Sequence, residues 1–453
     1  MSAAAHASTP AARVSVDRLQ RGLLWLFVAS GAIGSIEPSP YEAMFIPVAF
    51  AFGLSSLRFD RVMAPLIVGL ALLNAGGALA LVPFIDERDA VMFSSISLYV
   101  AITAVFFAGL IAKAPLERLR TIRSGYIAGA VVASIAAILG YFDVAGLAEH
   151  FTLYNRASGT FKDPNVLAPF LTLPLVWLVQ SVILRQSGGF WRTHLPILLL
   201  LTAVFLSFSR GGWGVWAAAT AMMITLTFLT TRSPALRQRI VLLTVIGVAL
   251  VVVLLIVALS IPAVRDVFEV RASLSQEYDI GETGRFGDQL RSIPMLLDLP
   301  FGFGPLQYRN HFEGVDPHNV YINAFASYGW VGGLTYAALT IVTLFLGWRL
   351  VLQRTPWQNE VIAIWSSLFF QILQGFQIDT DHWRHFFLML GALFGLLGAT
   401  RLRVAREARQ RIEAMGSARS ASRQGISVSR QAAPVARFGD PLQGGVDLSQ
   451  ARY

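Results

Sequence analysis

The chain has 453 residues and a formal net charge of +9, with 55% hydrophobic and only 14% charged residues. Soluble globular proteins carry about 25% charged residues, so this composition excludes an ordinary soluble enzyme, a disordered protein and a fibrous protein. Cysteine is absent, which also excludes disulfide scaffolds, thiolate zinc sites, iron–sulfur clusters and cysteine nucleophiles.

Long apolar runs dominate the chain. The hydrocarbon core of a bilayer is about 30 Å thick, so a helix needs about 20 apolar residues to cross it. Twelve runs approach this length, near residues 22–36, 41–57, 62–84, 90–112, 124–142, 166–184, 194–209, 211–230, 240–261, 325–348, 358–378 and 385–400. The sequence therefore predicts an all-α polytopic membrane protein with about 12 transmembrane helices.

The Lys and Arg residues are distributed unevenly between the two sides. If the N-terminus is cytoplasmic, 26 of the 36 cations lie on the inner side, and every inner loop has at least two. Inner loops of membrane proteins are enriched in Lys and Arg, so both termini are predicted to be cytoplasmic. This location at the membrane surface accounts for the basic net charge without a nucleic-acid partner.

Four regions follow from the predicted spans. Residues 1–261 hold helices 1–9, residues 262–324 form a large outer loop, and residues 325–400 hold helices 10–12. The outer loop is too long for a tight connection, so we expect it to be functional. In the basic tail, 401–453, the first 15 residues can continue the last helix and the rest is predicted to be disordered. We interpret the tail as a solvated segment that fixes topology; contact with anionic inner-leaflet lipid is the alternative.

The first candidate site lies within residues 194–230, whose one charged residue is Arg210. As a single helix this run would be about 55 Å long, too long for one crossing. Both flanks are basic, so the chain is predicted to turn on the outer side within residues 207–213. An arginine near the hydrocarbon is costly and indicates a functional site. The alternative is an arginine that reaches the lipid headgroups beside an interfacial tryptophan.

The second candidate site is the outer stretch 155–165, in which Arg156 and Lys162 lie among turn-forming residues. Asp163 or Asn165 could cap the helix that follows, and a polar loop with such a cap is the alternative interpretation. Arg156 and Arg210 could together clamp a diphosphate, because guanidinium groups match phosphate oxygens in geometry.

The third candidate site lies in the large outer loop, which contains Arg285, the glycines of the 300–305 segment, and His318 near the start of the tenth span. An imidazole with an ordinary pKa can accept a proton at neutral pH. The alternative is a histidine at a helix start whose bonds are satisfied by backbone. The glycines more often mark turns.

The fourth candidate site is the loop 379–385, which holds Asp379, Asp381, His382 and His385. Carboxylates and imidazoles can bind a divalent cation, although such a loop is more often a hydrogen-bonded lid. Under the predicted topology all four candidate sites lie on the outer side. Because Lys and Arg are enriched in inner loops, the topology does not explain the cations of these outer sites.

The sequence resembles O-antigen ligases and O-antigen or exopolysaccharide polymerases. Four segments carry the resemblance, in this order along the chain: the Arg-containing stretch 155–165, the Ser-Arg-Gly-Gly turn at 209–212, the 285–304 segment and the Pro-His-Asn at 317–319. The resemblance covers roughly residues 150–400. It implies a glycosyltransferase of the bacterial inner membrane that passes a glycan from a polyprenyl diphosphate to an acceptor hydroxyl on the periplasmic face. It also implies that no metal or other cofactor takes part.

The resemblance further implies roles for individual residues. The diphosphate would be bound by Arg156, Arg210, Arg285 and Lys162. His318, with Arg210, would be catalytic, and His318 would activate or orient the acceptor. Supporting positions are Asn319, Asp379 and Arg384.

Three alternatives stay open at the level of sequence. Ligases of this kind use lipid A-core as acceptor, whereas polymerases use another lipid-linked repeat unit, and the motifs do not separate them; we favour the ligase slightly. A twelve-span transporter is the rival class, but its long loop typically lies inside, between spans six and seven. A scaffold role would require the outer arginines to be dispensable. The expected partners are the lipid-linked donor, the acceptor and membrane lipids.

Overall fold

The computed structural model describes residues 10–53, 56–271, 284–312 and 315–431, with side chains described in these ranges except at 10–15, 263, 271, 285 and 416–431.

This part of the chain is almost entirely helical, as the sequence predicts. The helices are α1 (Pro10–Ser30), α2 (Pro40–Phe52), α3 (Ala64–Leu81), α4 (Arg88–Lys113), α5 (Pro115–Tyr141), α6 (Ala148–Phe151), α7 (Pro164–Ile183), α8 (Leu195–Leu206), α9 (Arg210–Thr230), α10 (Pro234–Leu259), α11 (Pro262–Arg271), α12 (Arg285–Leu297), α13 (Tyr308–His311), α14 (Val320–Val351), α15 (Gln358–Gln374) and α16 (Arg384–Gln431). A short antiparallel pair of strands, β1 (Thr152–Leu153) and β2 (Arg156–Ala157), connects α6 to α7.

Each of the twelve predicted runs coincides with a helix. Eight segments in the described ranges are long and apolar enough to cross a membrane: Arg61–Phe84, Arg88–Lys113, Pro115–Tyr141, Pro164–Ile183, Arg210–Thr230, Pro234–Leu259, Val320–Val351 and Arg384–Met415. Two shorter apolar helices are Pro40–Phe52 and Phe190–Leu206, and the remaining two runs fall on α1 and α15. Helices that could span a membrane are thus confirmed, and the count of twelve spans stays a prediction.

Close helix packing depends on glycine at several helix crossings. A Cβ atom on Gly125 of α5 would lie 2.6 Å from the carbonyl oxygen of Trp25 on α1. On Gly391 of α16, a Cβ atom would overlap the carbonyl oxygen of Ala104 on α4. In a membrane, small residues let helices approach closely where the hydrophobic effect cannot drive them together.

Helix α14 is interrupted at Gly329, whose φ of 66° and ψ of −170° are not helical. The segment before α13 packs against this break: the Trp330 N–H donates to Pro300 O at 2.9 Å, and two further backbone N–H groups donate to Ala326 O. A Cβ atom on Gly302 would overlap Ala326 O. The glycines of the 300–305 segment therefore allow a backbone-to-backbone contact with α14.

Side-chain caps begin several helices at one end of the bundle. Asp163 caps α7 by accepting from the Asn165 N–H, which identifies Asp163 as the predicted cap. Ser209 caps α9 and Asn319 caps α14. Uncapped helix N-termini leave N–H groups unpaired, so these side chains determine where each helix begins.

The loops meet in two separate groups. Those predicted on the inner side are joined by hydrogen bonds between Arg123 and Glu360, Gln180 and Asn359, Arg239 and Val182, and Arg401 and Asp60. Those predicted on the outer side are joined by hydrogen bonds between Gly34 and Thr160, Gln307 and Glu87, Arg156 and Ser207, Asn319 and Asp379, and Arg384 and Glu42. These bonds join helix ends and loops that the sequence places on the same side. The topology, and the compartment that each end faces, stay predictions.

The chain divides into a unit up to Arg401 and a second unit from Leu402. In the second unit, α16 continues to Gln431, past Met415, where the sequence analysis places disorder. An ion pair one turn apart, Arg403 with Glu407 at 2.7 Å, lies on this part of the helix. Residues 432–453 lie outside the described residues, and the predicted domain boundaries stay predictions.

Candidate functional site

Arg156 lies on β2 and is buried. Its Nε donates to Ser207 O at 2.8 Å, and an Nη donates to Asn165 Oδ1 at 2.8 Å. The guanidinium group therefore connects the strand pair to the α8–α9 turn and to the first turn of α7. Asn165, the second cap candidate in the sequence, instead orients this arginine.

The predicted reversal within residues 194–230 is present, because α8 ends at Leu206 and α9 begins at Arg210. Ser209 Oγ accepts from the Gly212 N–H at 3.2 Å, so the Ser-Arg-Gly-Gly motif is a capped helix start. Arg210 is half-buried in the first turn of α9. Helix N-termini carry partial positive charge and exposed N–H groups that favour anions, so the arginine and the helix end contribute charge of the same sign at one place.

The N-terminus of α9 lies between two other helices. A Cβ atom on Gly212 would overlap Ala168 of α7, and one on Gly211 would lie 3.2 Å from Gln374 Nε2 and 3.3 Å from Gln377 Oε1. Gln374 is the last residue of α15 and Gln377 follows it, so the start of α9 is adjacent to the chain that continues from α15 into the 379–385 loop.

His318 is held by that loop. Its backbone N–H donates to Asp379 Oδ2 at 3.1 Å, and the Asn319 N–H donates to Asp379 Oδ1 at 3.1 Å. The φ of His318 is 49°, a left-handed conformation that residues other than glycine adopt rarely. Asn319 Oδ1 then caps α14 through the N–H groups of the first turn. Asp379 therefore holds the backbone that carries the half-buried His318 side chain.

The electrostatic environment of Asp379 is unusual for a surface loop. The residue is partly exposed, but its carboxyl group is surrounded by protein. This burial, followed by the neighbouring carboxyl groups of Asp381 and Asp316, raises the pKa of Asp379 well above its ordinary value. The two backbone N–H bonds favour the charged form and limit the rise.

A buried ion pair holds the same loop in place. Asp381 Oδ2 lies 3.2 Å from His382 Nδ1 and accepts from Asn323 Nδ2 at 3.2 Å and Tyr328 Oη at 3.1 Å. His382 Nε2 lies 3.0 Å from Phe93 O. Both ring nitrogens thus face acceptors, which favours the doubly protonated imidazolium. Burial lowers the pKa of His382, but Asp381 and its hydrogen bond outweigh burial and raise it.

Two of the predicted cations, Arg384 and Lys162, contact the α1–α2 loop and the start of α2. Arg384 Nε donates to Glu42 Oε1 at 2.7 Å, and an Nη donates to Ile33 O at 3.2 Å. Lys162 Nζ lies 2.9 Å from Glu37 Oε1, and both side chains are exposed. In this conformation the two cations connect α16 and the 155–165 stretch to the first two helices.

Arg285 is the first residue of α12, and its side chain lies outside the described part of the structure. The helix itself contacts the His318 segment, because Gln289 Nε2 donates to Pro317 O at 2.8 Å. Within the described ranges, no group of three or more His, Asp or Glu side chains is arranged to hold a metal ion.

Residues 195–337 match a family model described as O-antigen ligase. Over these residues, the chain is similar to the O-antigen ligase family. The resemblance inferred from the motifs is thereby confirmed. A comparison with curated proteins found no match.

The matched segment contains Arg210, Arg285, His318 and Asn319. Four of the predicted site residues lie outside it: Arg156, Lys162, Asp379 and Arg384. Arg156 and Asp379 nevertheless bond directly to the region, through Ser207 and through His318 and Asn319. The site thus depends on helices that lie on both sides of the matched segment.

Sequence reasoning missed the residues that connect the candidate motifs. Gln374 and Gln377 lie beside Gly211 and shortly before Asp379 in the chain, and Gln374 Oε1 is buried without a hydrogen-bond partner. Gln371 and Gln374 lie three residues apart near the end of α15, and Gln377 follows three residues later, beyond the helix. This regular spacing was a usable signal. Gln289 and Asn323 had no such pattern.

Proposed function

We propose that this protein is a membrane glycosyltransferase of the O-antigen ligase type. It moves a glycan from a polyprenyl diphosphate to an acceptor hydroxyl on the periplasmic face of the bacterial inner membrane. The observation that carries the proposal is the closeness of the α9 N-terminus to the end of α15, because the chain that follows α15 carries the Asp379 carboxylate that holds His318. The family match supports the lipid-linked glycan and the membrane setting.

On the donor side, Arg210 and Arg156 bind the diphosphate. Negative charge grows on the departing diphosphate as the sugar–oxygen bond breaks, and fixed positive groups in a poorly solvated site stabilise such charge strongly. Arg210 acts with the N-terminus of α9, and the bonds of Arg156 to Ser207 and Asn165 hold its guanidinium beside the same turn. Arg285 and Lys162 assist at the edge of the site.

On the acceptor side, His318 accepts the proton of the acceptor hydroxyl while that oxygen bonds to the anomeric carbon of the donor sugar. The bond from this carbon to the diphosphate oxygen breaks, and the diphosphate leaves with the electron pair. Asp379 and Asn319 hold the backbone of His318, and Arg384 supports the loop. No metal or nucleotide belongs to this scheme, because the donor already carries its leaving group.

The acceptor we propose is lipid A-core. A second lipid-linked repeat unit, which is the acceptor of the polymerases, would use the same donor site and the same base. A transfer assay with each acceptor in turn separates the two.

The test compares Arg210→Lys with His318→Ala in purified protein reconstituted into liposomes, with donor binding and glycan transfer measured side by side. Lysine keeps the charge but cannot form the two-pronged contact, so Arg210→Lys should lose donor affinity and about 10²–10³-fold in transfer rate. His318→Ala should stop transfer while donor binding is retained.

Arg265→Lys is a matched control, because Arg265 is an exposed arginine on α11 that pairs with Glu269. It should bind donor and transfer glycan normally. Normal transfer by Arg210→Lys, or loss of donor binding in His318→Ala as complete as in an arginine variant, would show that the assigned roles are wrong.

A further inference from the structure

Helix α12 has the opposite polarity to a helix on a water-soluble surface. Its buried side chains include Asp288, Gln289 and Ser292, each at most 7% exposed. Its apolar side chains at 286, 290, 293 and 297 are 45% to 70% exposed. At 3.6 residues per turn these four positions fall within an arc of about 60°, so the helix presents one continuous apolar face outward.

The buried polar face is accounted for by contacts within the protein. Asp288 pairs with Arg291, Ser292 Oγ donates to Gln289 O, and Gln289 donates to Pro317 O. These polar groups are satisfied inside, which explains their burial. The apolar face is exposed, and large exposed apolar patches are unfavourable in water and mark interaction sites.

The apolar face of α12 continues onto the surface of α14. Trp330 Nε1 donates to Leu296 O at 2.8 Å, and the exposed Phe301 follows the same turn. Beyond the break at Gly329, Val331 and Leu334 are also exposed. They lie on a helix that is long and apolar enough to cross a membrane. Tryptophan is enriched where such helices leave the hydrocarbon, so Trp330 lies at the junction of the two surfaces.

We infer that α12 is an interfacial helix, whose partner is the lipid of the leaflet on the side of the candidate site. Its apolar face lies among the outer parts of the acyl chains beside α14, as amphipathic helices in the membrane plane do. Continuity with a membrane-spanning surface favours lipid as the occupant over a second protein. The inference does not depend on the transfer reaction.

This placement has a consequence for the candidate site. The buried face of α12 contacts Pro317 and Asn319, which flank His318. A helix resting in the interface would therefore hold the His318 segment at the level of the headgroups.

The chain has no cysteine, so single-cysteine variants can be spin-labelled without background. Leu290→Cys and Leu297→Cys test the apolar face, Leu334→Cys on α14 is the lipid-exposed control, and Asn310→Cys is the exposed polar control on the same segment. Each variant is placed in phosphatidylethanolamine–phosphatidylglycerol vesicles. Collisions with oxygen, which concentrates in lipid, are then compared with collisions with a water-soluble nickel chelate.

Labels at 290 and 297 should collide with oxygen more often than with the nickel chelate, as the label at 334 does. Their ratio of oxygen to nickel collisions should be several-fold above the ratio at 310. Doxyl-labelled lipid should also quench the fluorescence of a bimane label attached at 290. A nickel response at 290 and 297 equal to that at 310 would place the face in water and overturn the inference. Protection from both reagents would also overturn it, since residues 272–283 or a second copy would then cover the face.

Discussion

Removing the carboxylate of Asp379 should disable transfer without loss of donor binding. In Asp379→Ala, the N–H groups of His318 and Asn319 both lose their acceptor. His318 is then free to leave its left-handed conformation, which is itself unfavourable by about 1–2 kcal/mol for a residue with a Cβ atom.

The size of the effect follows from the two lost bonds. An unpaired buried donor costs about 1–3 kcal/mol, and both amides are only partly buried, so the lower end of that range applies to each. A total near 2 kcal/mol lowers the population of the competent conformer about 30-fold, and transfer should fall by the same factor. Asp379→Asn keeps one carbonyl oxygen, so about 1 kcal/mol and a roughly 5-fold loss are expected.

The assay is glycan transfer at saturating donor, with donor affinity measured separately in the same reconstituted samples. Asp298→Ala is the matched control, because it removes an exposed carboxylate at the end of α12. It should leave transfer unchanged. Unimpaired transfer in Asp379→Ala, or a loss of donor affinity that accounts for its defect, would refute the assigned positioning role.

Three further predictions concern stability, topology and metal dependence. Because the folded protein raises the pKa of His382 from its ordinary value of 6.5, the ion pair with Asp381 stabilises the fold fully below that pH and less as pH rises through the raised value. Thermal midpoints in detergent should therefore fall above pH 6.5, and an equal slope in His382→Gln would contradict this. Reporter fusions at 190, 235 and 352 should report the cytoplasm and fusions at 150 and 290 the periplasm; a cytoplasmic signal at 290 would invalidate the proposed site. Chelators should leave transfer by the purified protein unchanged, whereas a loss restored by a divalent cation would make the 379–385 loop a metal site.

The sequence alone identified the helices and several local features of the site. Apolar run length predicted twelve of the helices, but not α6, α11, α12 or α13. The two basic flanks around Arg210 predicted the α8–α9 reversal, and residues such as Asp163 marked a helix start. These features depend on neighbours in the chain or on total charge, so no knowledge of packing is needed to find them.

Contacts between distant segments could not be found in this way. Asp379 and His318 are 61 positions apart, and Arg384 and Glu42 are 342 positions apart. In a soluble protein, the polar and apolar faces of a helix indicate which side packs inward. Membrane helices are apolar on both sides, so their sequence gives little information about which helices become neighbours.

Helix α12 shows the same division between sequence and tertiary structure. Its alternation of polar and apolar residues can be found in the sequence, and taken alone it would suggest an apolar face turned toward a protein core. Only the packing against the segment that leads into α14 decides that the polar face is buried, because Pro317 and Asn319 provide hydrogen-bond partners for Gln289 there. The apolar face is left outward, next to the exposed apolar side chains of α14.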